Sequence, residues 1–386
     1  MLPLALVTAL SLAPPGVPAG DLAKPGAVIV YLSTEHTLLV WSASGPNQLA
    51  LDSVAIGRDS LGVLIAGLRR SIAPSADLTT CRSVPVSGNI DIAAAALAGV
   101  LLPPRVRRAI APAIEVVIIP QGALQLVPFA LLPVDSAGTF LGVRNPLRYA
   151  PSLASLIQAE RRPAVPRGDR GRWRASLIVA NPTMPRIPAC GTVMRPAQLP
   201  ATVAFSRRLA DSLGAPFLTD SAATISAVRR QLQGAPLVHL ATHGYAYSSE
   251  ERARDSWLAL AAAGESNGLL TVGEIIDHDS LTAELVVLAA CETGLGDARH
   301  AEGVIGLQRA FLAKGARSVL VSLWTVNEAA TMRLIEVFYQ QWFDAPDRPS
   351  KAEALRRAEA SVRDDPAHPE WKSPKYWAGF VLVGAG

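Results

Sequence analysis

The sequence has 386 residues and a mass of 40.6 kDa; half of its residues are hydrophobic, 18% are charged and only 5% are aromatic. These proportions exclude a disordered chain, and the length predicts two lobes or one enlarged α/β unit. The net charge of +4 and the pI near 9.1 come mainly from dispersed arginines, an excess too mild to indicate a nucleic-acid partner.

The three cysteines, Cys81, Cys190 and Cys291, lie far apart and form no CxxC pair. This arrangement indicates neither a disulfide framework nor a cysteine zinc site, so a reducing compartment and a cytoplasmic location are expected. We predict no cofactor and no metal.

The first thirteen residues, MLPLALVTALSLA, are apolar, and several prolines follow them. The run is too short to span a bilayer. A secretory leader is the alternative, but the positive charges that usually begin one are absent. We interpret residues 1–24 as an apolar leader or a remnant linker, and we expect no membrane association.

Residues 25–160 are predicted to form an N-terminal supporting lobe. Between Ala27 and Ile56, the runs AVIVYLS, TLLVWSA and QLALDSVAI are separated by short polar breaks, which predicts an antiparallel β-meander. The patterns that follow predict helices at Leu61–Leu68, Ile92–Leu102 and Ser152–Glu160. Between the second and third helices, they predict a buried strand at Ile114–Ile119 and a loop with short β pieces at Ala123–Leu132.

The clearest compositional break is residues 161–174, RRPAVPRGDRGRWR, with six arginines, two prolines and two glycines. Its simplest interpretation is a solvated linker between two halves. A nucleic-acid patch built on Trp173 and its arginines is the alternative.

Residues 175–386 alternate between strand and helix patterns with short connections, which is typical of a mainly parallel sheet covered on both faces. Strands are predicted at Ala175–Ala180, Leu237–Ala241, Leu285–Ala289, Ser318–Leu323 and Phe380–Val383. Helices are predicted at Thr202–Leu213, Ala223–Gln233, Glu302–Lys314, Glu328–Phe343 and Lys351–Arg363.

Two of these strands end in polar, turn-prone clusters that carry His243 and Cys291. Ligands of open α/β sheets bind beyond the carboxyl ends of the strands, so these two side chains meet if the strands are neighbours. A thiolate is a competent nucleophile and an imidazole its base. Gly244, without a Cβ, leaves its N–H free as an oxyanion donor beside that of Cys291. A lone buried cysteine or histidine is, however, more often structural, so the residues alone leave both interpretations open.

Four segments follow one another along the chain in this order: HLATHG, VVLAACETGLG, EGVIGLQRAFLAKGARSVLVSLWTVNEAAT and YWAGFVLVG. With these segments, the chain resembles the CHAT-domain family from about Ala27 onward. This family is a branch of the caspase-like cysteine peptidases. The resemblance implies an α/β fold: a caspase-like three-layer αβα sandwich with a mainly parallel sheet, preceded by a smaller lobe that begins with the antiparallel β-meander. The smaller lobe is then interpreted as a degenerate caspase-like half.

The resemblance also implies the chemistry. His243 would be the general base or imidazolium partner, Cys291 the nucleophile, and the N–H groups of Gly244 and Cys291 the oxyanion hole. Peptide bonds of a protein substrate would be hydrolysed through a thioester. Family members commonly carry tetratricopeptide helices that sense a partner, so we expect a latent enzyme and either a separate activator or a tetratricopeptide-containing partner.

Substrate choice is predicted from fewer residues. In caspase-like enzymes the residue two positions before the nucleophile lines the specificity pocket; here it is Ala289, which favours small or apolar side chains. Trp324 is either a wall of the substrate cleft or a core residue. Acidic side chains in the loops between the motifs would be another source of specificity; the candidates are Asp255, Glu274, Asp277 and Asp279.

Two neighbours of the motif residues are predicted to be supports, His239 as a structural histidine and Glu292 as a loop-fixing carboxylate. Two other functions stay open on the same fold. One is a non-catalytic signalling module that binds peptides or partners, and the other is a cysteine amidohydrolase acting on a small molecule.

Overall fold

The computed structural model describes residues 26–45, 48–73, 75–77, 82–189, 191–247, 250–289 and 302–386. In chain order, the strands of these ranges are β1 (Ala27–Ser33), β2 (Leu38–Ala43), β3 (Leu49–Val54), β4 (Ser75–Asp77), β5 (Arg82–Val84), β6 (Val116–Ile119), β7 (Leu147–Tyr149), β8 (Leu177–Pro182), β9 (Ile187–Ala189), β10 (Thr192–Met194), β11 (Phe217–Asp220), β12 (Leu237–Ala241), β13 (Gly244–Tyr245), β14 (Trp257–Ala259), β15 (Leu269–Thr271), β16 (Leu285–Ala289), β17 (Ser318–Ser322) and β18 (Phe380–Gly384).

The α-helices of the same ranges are α1 (Arg58–Ile72), α2 (Ile90–Leu101), α3 (Pro104–Ile110), α4 (Leu141–Arg144), α5 (Leu153–Arg161), α6 (Arg170–Trp173), α7 (Ala201–Leu213), α8 (Ile225–Leu232), α9 (Val272–His278), α10 (Glu302–Lys314), α11 (Glu328–Tyr339) and α12 (Lys351–Arg363). Several begin at side-chain caps, as at Ser152 before α5 and Asn327 before α11. Across these ranges, no helix is both long enough and apolar enough to cross a membrane.

One large sheet runs through the molecule in the strand order β11-β8-β12-β16-β17-β18-β7-β6-β1-β2-β3. Neighbouring strands are parallel except at β17–β18, β1–β2 and β2–β3. The mixed α/β class, the mainly parallel sheet and the antiparallel β-meander at its start are therefore confirmed.

Both faces of the sheet are covered. Successive side chains of a strand point to opposite faces, and in β1 and β6 they belong to different apolar cores. Ile29 and Ile118 lie in the main core, whereas Val28 and Val117 lie in a smaller one. This burial on both sides is what the near-continuous apolar runs of the parallel strands require.

The two predicted lobes share this sheet. Strand β18 pairs with β17 on one side and with β7 on the other, where Val383 lies opposite Tyr149. Arg69 of α1 adds a second link by donating hydrogen bonds to the carbonyl oxygens of Leu126 (3.3 Å) and Leu323 (3.0 Å). The boundaries drawn at residues 160 and 174 stay predictions.

Two local predictions are wrong. The segment Ala123–Leu132 forms 3₁₀ turns, Gly122–Leu126 and Phe129–Leu131, rather than β pieces. Pro128 has no N–H to give to a ladder, and the N–H of Phe129 is taken by the Tyr149 hydroxyl at 3.1 Å. The helix predicted to run to Phe343 is α-helical only to Tyr339 and continues as the π-helical turn Gln340–Asp344.

Residues 161–174 make specific contacts with the second half although most of them are exposed, and their role as a linker stays a prediction. Arg162 donates a hydrogen bond to the carbonyl oxygen of Leu312, one of the last residues of α10, at 2.9 Å. Trp173 is only 2% exposed and packs edge-on against Phe343, with ring centroids 5.0 Å apart. The segment is fixed to the second half because an arginine side chain donates hydrogen bonds to it and the Trp173 indole packs against it.

A cluster of buried charges lies at the amino ends of β16 and β17, opposite the carboxyl edge. Glu284 contacts the Lys351 Nζ through Oε1 (2.6 Å) and the Arg317 Nε through Oε2 (3.0 Å), and it also accepts a hydrogen bond from the N–H of Val165 (3.0 Å). Burial lowers the pKa of Lys351 to about 8, although the attraction of Glu284 opposes this shift. We call Glu284, Lys351 and Arg317 the buried ion cluster.

Candidate active site

Strands β12 and β16 are parallel neighbours, and Ala241 lies opposite Ala289. Both strands are buried along their whole length. His243 follows the first strand by two residues, and Cys291 follows the second by two. The condition on which the dyad depends, that the two strands are neighbours, is therefore met. Cys291 and Glu292 themselves lie outside the described residues.

The imidazole of His243 is only 3% exposed, and its Nε2 lies 2.8 Å from the carbonyl oxygen of Ala197. A carbonyl oxygen only accepts hydrogen bonds, so Nε2 carries a proton and donates it. In the neutral ring, Nδ1 is then the nitrogen that accepts a proton. The Ala197 carbonyl thereby selects the tautomer in which Nδ1 is basic.

Sequence reasoning missed Ala197. The role belongs to its backbone carbonyl, which every residue has, so no side-chain pattern marks it. The residue lies between the hairpin β9–β10 and helix α7, and neither element of that hairpin was predicted.

Gly244 begins the short strand β13, which is antiparallel to β14. The N–H of Ala259 donates to the carbonyl of His243 at 2.8 Å, and the next pair along is Gly244 with Leu258. Because hydrogen-bonded and non-hydrogen-bonded pairs alternate in an antiparallel ladder, the N–H of Gly244 points away from β14. This orientation is the one that an oxyanion donor needs.

His239 lies inside β12 and is fully buried. Its Nε2 is 3.2 Å from the Ser206 hydroxyl, and its Nδ1 is 3.1 Å from the Tyr339 hydroxyl. Burial lowers the pKa of His239 to about 3. These contacts, on the helices that cover the sheet, agree with the structural role expected of it.

His239 makes stability depend on acidity. Because its folded pKa of about 3 lies below the usual 6.5, the unfolded chain gains a proton that the native state excludes as the pH falls below 6.5. The associated stability is complete above pH 6.5 and is lost progressively towards pH 3. Between pH 7 and pH 5, we expect the free energy of unfolding to fall by about 2 kcal/mol more in the wild type than in His239→Asn.

Urea unfolding at the two pH values measures this difference. His36→Asn is the matched control, since that side chain is 85% exposed, and it should keep the wild-type dependence. Identical pH dependence in the wild type and in His239→Asn would contradict the prediction.

Two further candidates for substrate binding, Ala289 and Trp324, are less exposed to solvent than expected. Ala289 is completely buried in β16. Trp324 is 4% exposed, and its indole N–H donates to the carbonyl oxygen of Lys375 at 3.0 Å. Of the two interpretations of Trp324, this placement favours core packing over a cleft wall.

Each acidic side chain considered for specificity has a partner within the protein. The contacts join Asp255 to Arg252 (3.3 Å), Asp277 to Arg254 (2.6 Å), Asp279 to Arg229 (3.4 Å) and Glu274 to the N–H of Thr271 (2.9 Å). A basic substrate side chain would therefore compete with an internal donor at each of them. The small or apolar preference stays a prediction.

Within the ranges that the structure describes, no three histidine, cysteine, aspartate or glutamate side chains are grouped in a way that could hold a metal ion. Cys81 and Cys190 lie outside those ranges.

A family model described as the CHAT domain matches residues 91–385. Tetratricopeptide repeat protein 28 from Homo sapiens is 30% identical over 309 residues, and the protein of the same name from Mus musculus is 27% identical over 306. Each comparison covers 70% of this chain. The chain spans only 12% of the length of these relatives.

Among solved structures, a chain of the Saccharomyces cerevisiae separase–securin complex is similar with a TM-score of 0.53 and 8% identity, over 95% of this chain and 30% of that one. The Arg-specific cysteine proteinase gingipain R has a TM-score of 0.41 and 11% identity, over 84% of this chain and 74% of that one. At such identities, the likeness to the separase–securin complex is a likeness of fold alone.

Proposed function

The chain belongs to the CHAT-domain family and has a caspase-like fold, and from this we propose that it is a cysteine endopeptidase with His243 and Cys291 as its catalytic dyad. The observation that carries the proposal is the hydrogen bond between His243 Nε2 and the carbonyl of Ala197. A buried imidazole of any role satisfies its N–H, so what supports catalysis is which of the two nitrogens is satisfied. Here the tautomer leaves Nδ1 as the proton acceptor, and His243 lies just after a strand whose neighbour leads to Cys291.

The reaction would proceed in two halves. Nδ1 of His243 takes the proton of the Cys291 thiol, and the thiolate attacks the peptide carbonyl carbon. The N–H groups of Gly244 and Cys291 hold the oxyanion, and the imidazolium then gives its proton to the leaving amine. A water molecule, activated by the same imidazole, hydrolyses the resulting thioester and restores the thiol.

The Ala197 carbonyl contributes during both halves. It accepts from Nε2–H whether the ring is neutral or charged, and a hydrogen bond to a charged donor is stronger than one to a neutral donor. It therefore stabilises the imidazolium more than the neutral imidazole. The Ala197 carbonyl therefore takes the place of the carboxylate that a third catalytic side chain would supply.

Substrates are proposed to be proteins with a small or apolar side chain before the cut, because Ala289 brings no charge to that position and the nearby acids are engaged. Cleavage of a peptide library tests this preference. An absolute requirement for Arg, Lys or Asp before the cut would rule it out.

We also propose that the enzyme is latent and is activated by a tetratricopeptide-containing partner. The relatives carry tetratricopeptide repeats in their name, and this chain spans 12% of their length. The rival function, a non-catalytic signalling module, would use the same fold for binding alone.

One comparison tests the proposed function directly. The wild type and Cys291→Ala, both with Cys81 and Cys190 replaced by serine, are treated with an iodoacetamide probe and co-expressed with candidate partner proteins. We expect rapid labelling and cleavage in the wild type and neither in Cys291→Ala. Equal behaviour of the two proteins would reject the peptidase and favour the signalling module.

A further inference from the structure

Asn181, near the end of β8, has an unusual backbone conformation. It is buried, and its φ of 47° lies in the left-handed region, which asparagine enters more readily than most residues because its short side chain bonds locally. The neighbouring strand is irregular at the same level, where the pairing of β11 with β8 shifts register between Thr219 and Asp220. Unusual backbone of this kind tends to cluster at functional sites.

The side chain of Asn181 holds the segment that follows the hairpin β9–β10. Its Oδ1 accepts hydrogen bonds from the N–H of Leu199 at 2.6 Å and from the Nε2 of Gln198 at 3.1 Å. The Oε1 of Gln198 in turn accepts from the N–H of Met184 at 3.0 Å. The Nε2 of Gln198 also donates to the carbonyl oxygen of Pro182 at 3.2 Å. Residues 198 and 199 are thus tied by four hydrogen bonds to the end of β8 and to Met184 just beyond it.

These bonds act on the next peptide group towards the amino terminus. The carbonyl of Ala197 and the N–H of Gln198 belong to one planar peptide unit, so fixing residues 198 and 199 limits the rotation of that carbonyl. The same carbonyl is the acceptor for His243 Nε2. A continuous chain of contacts therefore runs from Asn181 to the imidazole.

We propose that Asn181 is a positioning residue for His243, which acts through Gln198, Leu199 and the carbonyl of Ala197. The inference rests on the proposed function for its effect on the rate, but its effect on the ring of His243 is independent of any activity. Without the Asn181 side chain, two of these four hydrogen bonds are lost, so the 197–198 peptide is less restrained and the Nε2–H loses its fixed acceptor.

The chain offers a set of matched variants. Asn181→Gly removes the side chain and still adopts a positive φ without strain. Asn181→Asp keeps an oxygen that can accept both hydrogen bonds. Asp220→Gly is the control for altered backbone, because Asp220 also has a positive φ (51°) and its side chain contacts Thr219 rather than the 195–200 segment.

The first measurement is nuclear magnetic resonance of the full chain with ¹⁵N-labelled histidine rings, in which His243→Gln identifies the signal of His243. In the wild type, we expect a downfield Nε2–H resonance that exchanges slowly with water. Asn181→Gly should lose it, whereas Asn181→Asp and Asp220→Gly should retain it.

The second measurement is peptide cleavage in the presence of the candidate partner proteins, because the enzyme is proposed to be latent. For Asn181→Gly, we expect kcat to fall about 10- to 100-fold with KM changed less than about twofold, since a misplacement of about 1 Å can cost about 10²-fold in rate. Asn181→Asp should recover most of the rate, and Asp220→Gly should match the wild type.

An Asn181→Gly protein that keeps both the protected resonance and the wild-type kcat overturns the inference. If the resonance is lost but no protein cleaves peptides, the positioning role stands and the proposed function fails. If cleavage depends on Cys291 while Asn181→Gly is unaffected, the proposed function stands and the positioning role fails. Should Asn181→Gly not fold, Gln198→Ala breaks the same link at an exposed position and is expected to weaken the same resonance.

Discussion

Replacing His243 by glutamine is expected to lower kcat/KM for peptide cleavage by about 10²–10⁴-fold, the usual contribution of a general base. Glutamine can still donate to the Ala197 carbonyl, but it cannot take up the proton of Cys291. The change therefore removes the chemistry of the ring and preserves much of its packing. A fluorogenic peptide selected from a library of small and apolar side chains provides the assay, with the candidate partner proteins present because the enzyme is proposed to be latent.

The rate at which iodoacetamide labels Cys291 at pH 7 should fall together with activity, because the thiol loses its base. His278→Gln is a suitable control: this histidine is exposed at the end of α9, and its replacement should leave the rate within about twofold. A His243→Gln protein that is folded and cleaves at the wild-type rate would mean that another residue is the base.

Removing Glu284 should have the largest effect on stability. In Glu284→Ala, the cations of Lys351 and Arg317 stay buried without their shared carboxylate, and the N–H of Val165 loses its acceptor. Breaking a buried ion pair on one side typically costs about 3–5 kcal/mol of unfolding free energy. We expect a loss of this size, measured by urea or thermal unfolding.

Arg208→Ala is the matched control for Glu284→Ala. Arg208 pairs with Glu336 at 3.0 Å, but its side chain is 62% exposed, and surface pairs contribute only about 0–1 kcal/mol. If the two variants lost the same small amount of stability, the buried ion cluster would contribute no more than a surface pair.

The large buried strands were predictable because burial on both faces leaves an unbroken apolar run. Leu237–Ala241 and Leu285–Ala289 are observed with the predicted bounds. Strand β11 was missed because it is a four-residue edge strand with no fully buried position. The hairpin β9–β10 was missed for a similar reason, since Thr192–Met194 is exposed throughout.

The placement of His243 followed from the abrupt end of an apolar strand, a feature that side chains reveal. The acceptor at Ala197 and the link from Asn181 could not be predicted, because they depend on a backbone carbonyl and on a positive φ. The burial of Trp173 was missed for another reason. The composition of a segment rich in arginine, proline and glycine predicts exposure to solvent. Its buried contacts depend on carbonyl groups and aromatic rings elsewhere in the fold, which the sequence of the segment does not reveal.

Strand β18 occupies the sixth of the eleven positions in the sheet, yet in sequence it follows all the other strands of the sheet. The two sets of strands on either side of it are therefore joined only after Phe380–Gly384 has been synthesised and has left the ribosome. Until then, each set exposes an open edge, which favours association with chaperones. Because β17 acquires its second neighbour only at that point, the sheet next to the proposed site is completed late in biosynthesis.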